Sequence, residues 1–530
     1  MRIFHSLFAV LLLTIIVVIA FSSLIINFNQ DSIFNIIFDD YLLYVVKFTI
    51  KQAALSTLFT IILAVPIALT LHRRNNFLGR SLLLDFLNLS FVLPSITIVI
   101  GIVIIHGKNG WINNFLQHYV GISFDYYLYG IFGIILGHLA FCLPLAVRIL
   151  LYSLYAIPQE TWFLTSQLNL SILNKFRIIQ WPYLKDVALS LAILIFMMCF
   201  TSFTIILALG GGPSVTSIEV VIYQALRLDF DFAKALNLAL IQFVISIFIM
   251  ILWQKYNVSK LNFSSNVVKS YFKDYSHGVL IKILDIVLIA ILFVVSVLPV
   301  IAIIINGLND SFFIVIKSLE LARAMAQSLV IAFLSGILGL MMAFAIVSGC
   351  FYVHYVLKKP TLSKFFILFA NIKLIIPIFV ISTGLFVFFN KYLIINDISF
   401  YLIILLNAIS SLPFVVSIIL PDSLGFSLKE IYLCNNLGIK SFDFIKVIYL
   451  PRLAKSISQA LALSICISFG DLSIIALFNT HDLITLPYLL YSKISNYKLE
   501  EAAVISLIMV LLSFILFWLI EKIIAKRLSC

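Results

Sequence analysis

Charge is what this chain has least of: Asp, Glu, Lys and Arg make up 11% of its 530 residues, against about 25% in an ordinary soluble protein. With 63% of the residues hydrophobic, a water-soluble globular fold is excluded. Cysteine is scarce as well. The six cysteines (Cys142, Cys199, Cys350, Cys434, Cys466 and Cys530) are scattered, mostly within apolar runs, with no C-x-x-C pair and no His at ligand spacing. Neither a disulfide framework nor a metal site is indicated. No G-x-x-x-x-G-K-[ST] phosphate loop occurs, so any ATP chemistry belongs to another protein. The histidines show no pairing at helical spacing, which argues against a proton relay.

What is present is length and grease. Apolar runs of at least 18 residues lie near 7–27, 48–71, 83–106, 128–151, 187–209, 233–253, 279–305, 325–352, 365–389, 399–420, 456–479 and 502–520. They predict an all-α polytopic membrane protein of about twelve transmembrane helices. The first run exceeds a signal-peptide h-region and lacks a small-x-small cleavage site, so it is expected to remain as a spanning helix.

The net charge of +12 would suggest nucleic acid in a soluble protein, but its distribution follows topology. With Arg2 placed inside, about 24 of the 35 Lys and Arg fall on that side, as the positive-inside rule requires. Both termini are then cytoplasmic and a nucleic-acid partner is not expected. The outer loops lean acidic (Asp31, Asp39, Asp40, Asp229, Asp231, Glu500, Glu501). Trp111 and Trp253, near span ends, read as interfacial anchors in the lipid bilayer.

The two halves echo each other. "LNLSFVLP" (87–94) returns as "ANIKLIIP" (370–377), and "FTSFTII" (200–206) returns as "FGDLSII" (469–475). "LNLSILNKFRIIQWP" (168–182) and "LGIKSFDFIKVIYLP" (437–451) share their spacing too. The expected organisation is a first domain at 1–254, a cytoplasmic linker at 255–278 and a second domain at 279–530. Each domain has six spans, an even number, so the repeats run parallel about an axis along the membrane normal, with a substrate path between them.

The last of these echoes falls in the longest cytoplasmic loop of each half. "PQETWFLTSQL" and "SLKEIYLCNNL" each predict a short amphipathic helix with a Glu in its first turn. Gly438 breaks the second of these in the left-handed conformation, and Asn169 is the commonest substitute there. A second short helix follows, expected to end at Pro182 or Pro451. Two interfacial helices lying on lipid would need no shared turn geometry, so recurrence favours a docking device.

These loops resemble the EAA loops of binding-protein-dependent ABC importer permeases. The second copy keeps Glu430, Gly438, Ile448 and Pro451; the first keeps Glu160, Ile179 and Pro182. Thr165 and Ser166, and Cys434 and Asn435, replace the alanine pair, and Asn169 replaces the glycine. The stretch "LALGGGPSVTSIEVVIYQALRLDFDFAKA" (207–235), with "GKNGWIN" (107–113) and "TLPYLLYSKISNY" (485–497), is similar to the fused permeases of iron(III) and thiamine importers, and most to those of thiamine importers.

The resemblance implies a multi-pass protein of the bacterial inner membrane that catalyses nothing covalent and binds no cofactor. It implies a separate ATP-binding subunit, in two copies, that carries ATP and Mg and docks on the two loops. It also implies a periplasmic binding protein that delivers thiamine or its phosphates. An iron(III) permease of the same architecture is the alternative, and an ion-coupled secondary transporter a more distant one.

Two ionisable residues stand out inside the spans, where a charge costs at least about 2.5 kcal/mol on insertion scales. Asp471, near the midplane, suits a positively charged thiazolium, or else pairs with Lys373 or a neighbouring helix to fix packing. Lys373, about nine residues into its span, snorkels toward the cytoplasm or meets the phosphates of a thiamine ester. Ser202 stands opposite Asp471 in the repeat as a further pathway candidate. Pro94 and Pro377 start or kink equivalent helices, either as architecture or to free carbonyls for a cavity.

Overall fold

The computed structural model describes residues 4–26, 39–122, 127–168, 170–255, 278–355, 357–392, 395–425, 436–437, 443–480 and 483–528. Among these residues the only β feature is a single bridge between Thr480 and Leu483; the chain is an all-α polytopic membrane protein. The expected linker at 255–278 lies almost wholly outside the described residues. The principal helices are α1 (Phe4–Ile26), α2 (Asp40–Arg73), α3 (Ser95–His106), α4 (Ile131–Tyr155), α5 (Gln159–Gln167), α6 (Trp181–Phe200), α7 (Thr204–Leu209), α8 (Ile218–Arg227) and α9 (Phe232–Lys255). There follow α10 (Val279–Leu292), α11 (Leu298–Asn306), α12 (Leu319–Tyr355), α13 (Pro360–Ala370), α14 (Ile378–Tyr392), α15 (Ile395–Leu424), α16 (Leu450–Phe469), α17 (Ser473–Phe478), α18 (Leu486–Ser495) and α19 (Leu499–Leu528).

Helix is the only open-ended answer to lipid, because no water is there to receive a free N–H or C=O. Hydroxyls inside the spans follow the same rule by bonding back one turn, as Thr49 does to the Val45 carbonyl at 2.7 Å and Thr60 to Ser56 at 2.7 Å. Among the described residues ten helical segments are long and apolar enough to cross a membrane. The two further expected spans are interrupted, and the runs at 83–106 and 187–209 are broken as well, at Pro94 and at Thr201–Phe203. The 365–389 run becomes α13, a short turn at Ile372–Ile375 and α14, parted at Pro377; the 456–479 run becomes α16 and α17, parted at Gly470–Leu472.

The packing crosses the expected domain boundary. α2, α4 and α6 form one bundle, and α12, α15, α16 and α19 another. Yet α1 lies against α12 and α14 of the second bundle, while α10 and α11 lie against α2 and α3 of the first. Small residues permit these approaches. A Cβ on Gly384 of α14 would stand 2.4 Å from the Ala20 carbonyl oxygen of α1, and one on Gly101 of α3 would stand 2.5 Å from the Pro299 carbonyl oxygen of α11.

A buried ion cluster fastens the second crossing. Asp285 of α10, 1% exposed, accepts from Arg73, from the Arg74 Nε at 2.8 Å and from the Thr70 hydroxyl at 3.1 Å. An acid inside a span thus meets two of the arginines expected at the cytoplasmic end of another. Asp285 is therefore a further intramembrane ionisable residue beyond Asp471 and Lys373. An acid within "KILDIVLIA" is the signal that marks it.

Candidate translocation site

α6 ends at Phe200 and α7 begins at Thr204, so the chain breaks at Thr201–Phe203. In the other half α16 and α17 break at Gly470–Leu472. Gly470 is needed there, since a Cβ would come within 2.9 to 3.1 Å of three Pro94 atoms. The two breaks, with the turns at Pro94 and Pro377, wall a cavity of about 200 Å³ between the halves. Ser202, Lys373 and Asp471 all line it. The structure brings together the three candidate residues that the sequence had placed on separate helices.

Each is held differently. Asp471 Oδ2 accepts from the Ile474 N–H at 3.0 Å and so caps α17. Lys373 does not snorkel to the cytoplasmic end. It faces the cavity with its Nζ 5.8 Å from the centre of the Phe414 ring, and no carboxylate lies within the 4 Å of an ion pair among the described residues. The pairing considered for Asp471 and Lys373 is thus electrostatic at longer range.

A third charge joins them. Glu219, 2% exposed, stands in the first turn of α8 and lines the same cavity. Gln242 of α9 donates to its Oε1 at 2.9 Å, and it shares the electrostatic field of Lys373 and Asp471. Sequence reasoning missed it because "GGGPSVTSIEVV" reads as an external turn. The chain instead dips back: Gly211 and Gly212 turn it with φ of 81° and 137°, and α8 descends behind them. The readable signal was an acid flanked by Ile218, Val220 and Val221 just after a Ser. His138 completes the wall, its Nδ1 2.9 Å from the Ser56 hydroxyl and its Nε2 buried with no hydrogen-bond partner among the described residues.

The re-entrant helices are anchored alike in both halves. The Thr49 hydroxyl of α2 accepts from the Ile218 N–H at the start of α8 (3.1 Å), and the Ser328 hydroxyl of α12 accepts from the Leu486 N–H at the start of α18 (2.7 Å). Phe203, which lines the cavity, stacks on Phe379 across the halves, ring centres 5.2 Å apart. Val92 and Phe414 are shared with a second cavity of about 790 Å³. Asp85, Arg148, Lys455 and Glu521 line that second space.

The two loops expected to dock an ATPase precede α6 and α16. In the first, Glu160 is exposed, Thr165 is buried with its hydroxyl donating to the Trp162 carbonyl at 2.6 Å, Ile179 is buried and Pro182 exposed. Ser166 lies in α5, and Asn169 falls outside the described residues. Trp162 pins α5 to the bundle by stacking on His72 at 5.1 Å. In the second, Glu430, Cys434, Asn435 and Gly438 fall outside the described residues. Ile448 and Pro451 are half-buried, next to a fully buried Tyr449 that hydrogen-bonds Ser423 at 2.7 Å.

The prolines do not end a helix, as the spacing had predicted. Pro182 and Pro451 sit in the first turn of α6 and α16, each just after a π-helical segment, Phe176–Gln180 and Phe444–Tyr449. Pro299 follows a third such segment, Phe293–Val297. The widened turn takes up the clash and the missing N–H of proline without stopping the helix.

No family model matches the chain. It is 36% identical over 486 residues to the thiamine transport system permease protein ThiP of Haemophilus influenzae, covering 90% of this chain and 88% of that protein. To ThiP of Escherichia coli it is 34% identical, with 97% and 95% covered. A protein named for ferric transport, FbpB 1 of Haemophilus influenzae, shares 23% over 42% of this chain. Near-complete coverage at this identity, on a helical membrane fold with a charged cavity between its halves, means that the chain belongs to the family of thiamine transport system permease proteins.

Proposed function

We propose that this chain is the membrane permease of a bacterial ABC importer that carries thiamine or its phosphate esters inward across the inner membrane. The observation that carries this reading is the near-full-length identity with proteins named for thiamine transport. Physical support comes from the cavity, where two carboxylates, an ammonium and aromatic faces converge at membrane depth. An iron(III) cargo suits it less: hard Fe3+ wants oxygen ligands, and a lysine ammonium among them opposes a trivalent cation.

The basic end faces the cytoplasm with both termini, and the glycine turn faces the binding protein. Two copies of a separate ATPase dock on the loops around α5 and around Phe444–Tyr449. Supporting this, α5 and its continuation leave Phe163, Leu164, Leu168 and Leu173 exposed by 59% to 75%. Closure of the ATPase pair on ATP moves both loops. Trp162 passes that motion to α2 through His72, and Tyr449 passes it to α12 through Phe351. Parting Phe203 from Phe379 then opens the cavity outward, and hydrolysis returns it to the cytoplasm.

The test is reconstitution in liposomes with the ATPase and binding protein, with labelled thiamine and ferric citrate offered in parallel. Thiamine uptake that requires ATP is expected; uptake of iron alone overturns the reading. Gly438→Trp and Glu430→Lys are expected to abolish ATPase association, and its survival in both overturns the docking assignment.

A further inference from the structure

We infer that Glu219, Asp471 and Lys373 form a transit site for a monovalent organic cation with an aromatic ring, in which the Lys373 ammonium holds the cation's place while the site is empty. The inference rests on the importer reading above and extends it to the permease's own selectivity.

The carboxylates come from opposite halves, Glu219 at the head of α8 and Asp471 at the head of α17. Both are fixed from behind, by Gln242 Nε2 and by the Ile474 N–H, each at about 3.0 Å or less. The other oxygen of Glu219 accepts no hydrogen bond among the described residues. A carboxylate 98% withdrawn from solvent and aimed at a cavity is set for a cation. The cation in reach is Lys373, yet it sits at neither carboxylate within ion-pair distance and rests instead over the Phe414 ring at 5.8 Å. A tethered ammonium held loosely by charge and by an aromatic face is displaced by a ligand that satisfies both.

The walls specify the rest of the ligand. Phe141, Met197, Met198 and Phe203 offer soft, polarizable surface for a planar ring. His138 adds a buried Nε2 without a partner, a hydrogen-bonding position for a ring substituent. Phosphate groups are disfavoured, since they would face two carboxylates against one ammonium. A di- or trivalent metal is disfavoured by that ammonium. Because each half supplies one carboxylate, any movement of the halves changes their separation and with it the affinity, as a transit site requires.

The test is equilibrium binding of labelled thiamine to the assembled, nucleotide-free importer in nanodiscs, without binding protein, alongside ATP-driven uptake into liposomes. Glu219→Gln and Asp471→Asn should each weaken binding about tenfold, the worth of one desolvated cation contact of about 1.4 kcal/mol. Lys373→Met should tighten binding, because the competing ammonium is gone; a merely structural lysine would not act in that direction. Thiochrome, the uncharged oxidised ring system, and thiamine diphosphate should compete poorly. The proposal is overturned if Lys373→Met, eluting as the native assembly does, binds thiamine no better than wild type, or if thiamine diphosphate competes as well as thiamine. Wild-type uptake without measurable binding overturns it as well. Absence of thiamine uptake by the wild type is a different result, and overturns the importer reading itself.

Discussion

Asp285 sits where an unpaired carboxylate would be untenable, and its two arginines and a threonine make it a joint between α10 and α2. Removing one member of such a buried pair leaves the rest uncompensated and costs about 3 to 5 kcal/mol. Asp285→Ala is therefore expected to lower the unfolding temperature of the purified chain sharply, and a midpoint equal to wild type would refute the joint. At the opposite end, Lys493 of α18 bonds Glu320 of α12 at 3.1 Å and Glu501 of α19 at 3.0 Å. Burial alone would lower its ammonium, but the two carboxylates outweigh that and hold it above the usual lysine value. The bridge's contribution is full below the ordinary lysine range and is lost as pH rises through the raised value. Lys493→Met should thus narrow the stability gap to wild type only at strongly alkaline pH, read by thermal unfolding across pH.

Residue chemistry was legible where a charge stood well inside an apolar run, which is how Asp471 and Lys373 stood out, whereas Asp285, close to the start of its run, was missed. Glu219 was hidden because its helix starts outside the long runs and re-enters from the glycine turn; hydropathy along a chain does not register a segment that doubles back.

At the scale of elements, the spacing of the two expected docking loops predicted helix ends at Pro182 and Pro451, where helices instead begin. Proline reads as a stop when helix is taken as strictly α, whereas here each π segment widens just ahead of one. The consequence is mechanical: the loop of the first half is continuous helix from Ile172 into α6, so a push on it is not absorbed by a flexible corner. α5 itself is tied in through Trp162. Trp162→Ala should leave the ATPase bound but reduce binding-protein-stimulated hydrolysis several-fold, measured on the reconstituted importer; undiminished stimulation would show that the His72 stack carries no signal.

For the whole molecule, composition alone announced a polytopic helical protein, and among the described residues ten segments are long and apolar enough to cross a membrane. The expected spans at 83–106, 187–209, 365–389 and 456–479 are broken, at Pro94, Thr201–Phe203, Pro377 and Gly470–Leu472, and these breaks build the cavity. With the orientation proposed above, the cavity of about 790 Å³, which shares lining residues with the central one, opens toward the cytoplasm and makes this an inward-facing form. Ser417 lines it. In a chain with Cys434 and Cys530 replaced by Ser, Ser417→Cys should react with a charged thiol reagent applied from the cytoplasmic side without ATP, and be protected when ATP closes the assembly. Reaction only from the outer side would contradict the inward-facing form.

The crossing of α1 onto the second bundle sets a timetable for biosynthesis. α1 is made first, but the whole of its partner α14 exists only about 370 residues later, about 20 to 70 s at about 5 to 20 residues per second. Through that interval α1 waits in lipid with its small-residue face, Ala9 and Ala20, unclaimed. Lipid tails solvate that face about as well as a partner helix does, so the wait costs little. α12 and α14 then close over α1, and helices made far apart in time come to lie side by side.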